Sequence, residues 1–71
     1  MGDGTYDAIV VDVGAGEDGA VAIDLAIAAG EHRGDVVRVT ERGHRGDPIE
    51  LLGVPATLTV TDGQPSVTFE P

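Results

Sequence analysis

The sequence predicts an all-β chain, a small five-stranded barrel forming one domain over residues 1–71. Two alternating runs and a turn carry this reading. Val21, Ile23, Leu25 and Ile27 alternate strictly with Ala22, Asp24, Ala26 and Ala28, and Ala56, Leu58 and Val60 alternate with Thr57, Thr59 and Thr61. A period of two is the signature of a strand with one face buried. Asp62-Gly63 then separates two extended runs in the manner of a tight hairpin turn.

Taken in order, Thr5–Val13 (TYDAIVVDV) is β-branched and apolar at both parities, which predicts a central strand buried on two sides. GAGEDG at 14–19 is a loop by composition, and residues 20–30 follow as the second strand. Asp35–Arg42 is the third, with Val37 and Val39 on one face and Val36, Arg38, Thr40 and Arg42 on the other. DPIELLG at 47–53 reads as one helical turn, with Asp47 as N-cap, Pro48 first, Glu50 completing a capping box and Gly53 ending it. Pro55 opens the fourth strand and Ser66–Phe69 forms the fifth, which Pro65 and Pro71 mark as an edge.

The order strand, strand, strand, short helix, strand, strand is that of an OB-type barrel. A second fold remains open at this stage. The alanines of 20–30 and the closing Gly30 also suit a helix, and Gly14-Ala15-Gly16-Glu17-Asp18-Gly19 is formally GxGxxG after an apolar strand. Read that way, residues 6–41 resemble the opening of a Rossmann dinucleotide-binding domain, which implies an α/β fold and places Glu41 as the ribose-binding acid. Glu17 and Asp18 speak for a glycine-rich hairpin loop instead, since they put carboxylates where a pyrophosphate needs free N–H groups.

The apolar set is almost wholly aliphatic, with Tyr6 and Phe69 the two aromatic residues, and cysteine is absent. Sulfur chemistry and thiolate metal sites are therefore excluded, and the core must be small. No apolar run is long enough to span a membrane and MGDGTYD lacks the regions of a signal peptide, so a cytoplasmic protein without membrane contact is expected. Lysine is missing and thirteen carboxylates give a net charge of −9. Such acidity is similar to that of halophilic proteins, which stay soluble in salt that screens their self-repulsion. An acidic domain with a basic partner is the other explanation.

All positive side chains fall within EHRGDVVRVTERGHRGD at 31–47. Between Arg33 and Arg45 four arginines against Asp35 and Glu41 give +2, which leaves −11 for the rest of a chain of −9. Arg33, Arg38, Arg42 and Arg45, with His32 and His44, are thus the candidate binding residues, because a guanidinium fork receives phosphate or carboxylate. Nucleic acid or an acidic protein surface is the expected partner, through a non-catalytic module that needs no cofactor. With Tyr6 alone available for base stacking, nucleic acid would have to be held by backbone charge. A structural or oligomeric accessory role without a ligand is the alternative. The two histidines flank a strand and do not converge on one metal, the repeated Arg-Gly-Asp is a chance-level match, and the lone serine, Ser66, has no base placed beside it by sequence.

Overall fold

The computed structural model describes residues 2–42 and 46–70. Its five strands are β1 (Gly4–Ala15), β2 (Val21–Ile27), β3 (Val36–Glu41), β4 (Pro55–Thr61) and β5 (Gln64–Phe69). They form a single antiparallel sheet in the order β3-β2-β1-β4-β5, curled into a half-barrel. The expected element order is present, with a 3₁₀ turn at Pro48–Leu51 between β3 and β4. β3 and β5 end the sheet and touch without a ladder between them.

Residues 21–27 settle the choice between the two folds. They are a strand, paired with β1 on one side and β3 on the other, and the described residues contain no α-helix. The α/β alternative is therefore not supported, and the glycine-rich segment closes a β-hairpin through a 3₁₀ turn at Glu17–Gly19. The reason lies in β2 itself: every second side chain from Ile23 to Ile27 is aliphatic and fully buried, a pattern that a helix would scatter around its circumference.

The core is the concave side of the sheet. Ala8, Val10, Ile23, Leu25, Ile27, Val39, Ala56, Leu58 and Val60 form it, with Tyr6, Val37, Val67, Phe69 and Leu51 packed around them. Each large aliphatic side chain removed from water there contributes about 1.5–3 kcal/mol before entropy is counted. Leu51 comes from the 3₁₀ turn, which the Asp47 carboxylate caps by accepting the Ile49 N–H at 3.0 Å. The Glu50 N–H donates to the Asp47 carbonyl, so the cap is made from Asp47 outward.

β1 is central, as expected, but it is buried on one side only. Ala8 and Val10 face the core, whereas Ile9 and Val11 are exposed. The register of β1 on β2 breaks between Val10 and Asp12, a β-bulge that sends Val11 and Asp12 outward together and returns Val13 to the core side. A run apolar at both parities looked like two-sided burial. The run instead contains a phase change, and no second layer exists among the described residues to cover the outer face.

β5 is an edge, with Pro65 opposite Val60. The β4–β5 turn has positive φ at both Asp62 (52°) and Gly63 (76°), as a type I′ hairpin requires. The Asp3 carboxylate accepts both turn amides, Asp62 N–H at 2.9 Å and Gly63 N–H at 3.1 Å, and so ties the start of β1 to the tip of the hairpin.

Candidate interaction surface

β3 sets the arginines on the convex face. Its inward positions, Val37 and Val39, join the core, so Val36, Arg38 and Thr40 must point outward, and all three are exposed. Arg33 lies in the β2–β3 turn, where its N–H closes on the Gly30 carbonyl, and its side chain is exposed. Arg42 follows β3 and donates from Nη1 to the Asp18 carbonyl at 3.5 Å, which links the end of β3 to the β1–β2 loop. Arg38 and Arg42 stand about 13 Å apart at the rise of an extended chain. His44 and Arg45 lie outside the described residues.

Arg38 is not free. It stands directly opposite Asp24 on β2, with Nε 2.7 Å from Oδ1 and Nη2 3.2 Å from Oδ2. The hydrogen bond from Arg38 holds the Asp24 carboxyl below its usual range, against a smaller opposing effect of burial, and the same bond raises Arg38. Two of the five guanidinium N–H donors are engaged in this way, leaving three for a ligand. On the far side of Asp24 stands Asp12, its register partner on β1, so the row across the outer face runs Asp12, Asp24, Arg38.

His32 does not share the arginine face. Its Nδ1 lies 3.1 Å from Asp35 Oδ2, and its ring meets the Tyr6 ring edge-on with centroids 5.8 Å apart. Both rings line a depression of about 410 Å³ at one end of the half-barrel, together with Asp7 and Glu31. Two carboxylates beside the imidazole make that hollow unwelcoming to an anion. Among the described residues no cluster of three or more histidines and carboxylates is placed to hold a metal.

One feature of the surface escaped the sequence. Val36, Ala26, Ile9 and Pro55 are successive register partners across β3, β2, β1 and β4, and they make an apolar row on the outer face, one step along the strands from Asp24 and Arg38. Val36 is 60% exposed and Ile9 42%. The signal that could have revealed the row was the surplus of apolar residues in β1 and β3 beyond what one buried face needs. A second apolar hollow, of about 550 Å³, lies where the 3₁₀ turn carrying Pro48 and the exposed Ile49 approaches the glycine-rich β1–β2 loop. No helix among the described residues is long and apolar enough to cross a membrane. No family model matches the chain, and no curated protein or solved structure shows significant similarity to it.

Proposed function

We propose that the chain is a small non-catalytic interaction module that receives an acidic protein surface on the β3 side of its outer face, through Arg33, Arg38 and Arg42. The observation that carries this reading is the exposed apolar row beginning at Val36, two residues along β3 from the exposed Arg38. An apolar strip rimmed by charged side chains is the anatomy of a protein-binding patch. Nucleic acid suits the face less well. Tyr6 and Phe69 pack against the core, so stacking platforms are missing, and Asp12 and Asp24 would repel a phosphate chain next to Arg38.

An assembly role without a ligand is the second reading, favoured by the same apolar row, which a further copy of the chain could cover. The lysine-free composition and the charge of −9 fit a halophilic protein, in whose concentrated salt apolar contacts hold better than screened charge pairs. The cytoplasm is the compartment we propose, in keeping with a cysteine-free chain.

Binding of a polyglutamate peptide and of single- and double-stranded nucleic acid, measured at several salt concentrations, tests the reading. The parent is expected to bind the peptide, and an Arg33→Ala, Arg42→Ala variant to lose it. Preference for nucleic acid would move the partner to the other class, and equal, negligible binding of every probe by both proteins would overturn the arginine face altogether. Sedimentation of the parent and an Ile9→Ser, Val36→Ser variant would show whether the apolar row joins copies of the chain.

A further inference from the structure

Three Asp-Gly pairs occur in this chain, at Asp3-Gly4, Asp18-Gly19 and Asp62-Gly63. Such a pair is open to isomerisation. The glycine nitrogen attacks the aspartyl Cγ, forming an N–Cγ bond, and one carboxyl oxygen leaves as water with the amide proton and an acid proton. Water then opens the succinimide ring at either carbonyl, which returns aspartate or leaves isoaspartate with the main chain rerouted through Cγ. Solvent is the only co-reactant, and glycine exposes its nitrogen because it has no Cβ to hinder the attack.

We infer that Asp18-Gly19 is the isomerisation site of this protein, and that a single clamp, the Asp3 carboxylate, protects the other two pairs. At Asp62-Gly63 the attacking nitrogen is held: the Gly63 N–H donates to Asp3 Oδ1 at 3.1 Å while the neighbouring Asp62 N–H occupies Oδ2 at 2.9 Å. At Asp3-Gly4 the same two bonds hold the carboxyl group toward the hairpin turn, and Gly4 is fixed in β1 opposite Val60. At Asp62-Gly63 the attacking nitrogen, and at Asp3-Gly4 the carboxylate, would have to leave a native hydrogen bond before the pair could react.

Asp18 is placed differently. Its side chain is exposed and its carboxylate enters no hydrogen bond or ion pair among the described residues. Its backbone is left-handed at φ 54°, ψ 40°, and a Cβ built at Gly19 would meet nothing within 4 Å; Asp62-Gly63 shares both features, with Asp62 at φ 52° and open space at Gly63, so what separates the two pairs is the Asp3 carboxylate on the Gly63 N–H. The contact that isomerisation would alter is the one from Arg42 Nη1 to the Asp18 carbonyl, because that oxygen passes from the main chain to a pendant α-carboxylate.

Cleavage after glutamate separates the three pairs, into peptides 1–17, 18–31 and 51–70. The test is to age the full chain in warm, mildly acidic buffer, digest it, and count isoaspartate in each peptide with an isoaspartyl methyltransferase and a labelled methyl donor. In the parent, 18–31 is expected to gather label about five- to ten-fold faster than 51–70, the protection that one hydrogen bond of ordinary net strength confers. Asp18→Glu should remove the label from 18–31 and leave the rest unchanged. Asp3→Ala should raise 51–70 by a similar factor, and Asp3→Asn, which keeps one acceptor, should fall between. Comparable labelling of 18–31 and 51–70 in the parent, or an unchanged 51–70 in both Asp3 variants, would overturn the inference. Amide exchange at Gly63 in the parent provides a check independent of any variant, since fast exchange there would show that the clamp does not hold.

Discussion

Asp24 and Arg38 face each other across β2 and β3, and their two hydrogen bonds, at 2.7 and 3.2 Å, use both carboxylate oxygens. The Asp24 side chain is 18% exposed and that of Arg38 69%. The pair thus has a sheltered acid and a solvated base. Asp12 stands opposite Asp24 on the other side, so the guanidinium charge offsets a like-charge contact on the outer face.

The first prediction concerns acid. Asp24 titrates below its usual range because Arg38 donates to it, so its folded pKa is depressed relative to the unfolded chain. A depressed carboxyl contributes stability above the unfolded pKa, about 3.9, and that stability is lost as pH falls through the folded value. Arg38→Ala is therefore expected to lie below the parent in thermal stability at neutral pH and to converge with it in strong acid. The gap should be small beside that of a core truncation, because Arg38 is solvated. Carboxyl NMR should show Asp24 titrating higher in the variant, and an unmoved Asp24 would mean that the ion pair does not form in solution.

The second prediction concerns the hairpin clamp. Replacing Asp3 with Ala removes an acceptor shared by two turn amides, which should cost about 1–3 kcal/mol. Amide exchange at Asp62 and Gly63 should quicken in that variant while exchange at Ile23 and Leu25 keeps pace only with the global loss of stability. Uniform acceleration across the sheet would place the effect elsewhere.

Sequence alone reached the strands whose inward and outward positions differ in chemistry. In β4 each inward residue is aliphatic and each outward one, after Pro55, a threonine, so register and face follow from the pattern. β1 could not be read in this way. Ile9 and Val11 are as apolar as the buried Val10, and the bulge at Val11 leaves no mark in residue type. The arginine line was half legible. Alternation put Arg38 and Arg42 on one face, but pairing decided that Arg38 meets Asp24, and pairing depends on a register fixed by residues 14 positions away. His32 was legible as a turn residue, whereas its contact with Tyr6 arises from the curl of the sheet, which brings the start of β1 to the β2–β3 turn.

The third prediction follows from charge. With thirteen carboxylates and four arginines on 71 residues, self-repulsion opposes the compact state at low ionic strength. Raising salt from low millimolar, where the screening length is about 30 Å at 0.01 M, to molar, where it is about 3 Å, should strengthen the fold. Circular dichroism melts across that range are expected to show a rising Tm. A Tm indifferent to salt would remove the halophilic reading and leave a basic partner as the reason for the acidity.

The fourth prediction sets two aliphatic residues of the sheet against each other. Leu58 is fully buried on the concave side between Tyr6 and Val67, and Ile9 is exposed in the middle of the central strand. Leu58→Ala should cost about 2–5 kcal/mol. A 71-residue domain has only about 4–11 kcal/mol in total, so this variant is expected to lose roughly half of its stability. Ile9→Thr keeps the β-branched shape and should stay within about 0.5 kcal/mol, as surface substitutions do. Denaturant titration of both variants measures the difference directly. If Ile9→Thr proved as costly as Leu58→Ala in the isolated chain at low concentration, the outer face would be covered by a segment or a second copy even in the absence of a partner. If it proved neutral there but weakened self-association or capture of an acidic peptide, the apolar row would be acting only when something binds it.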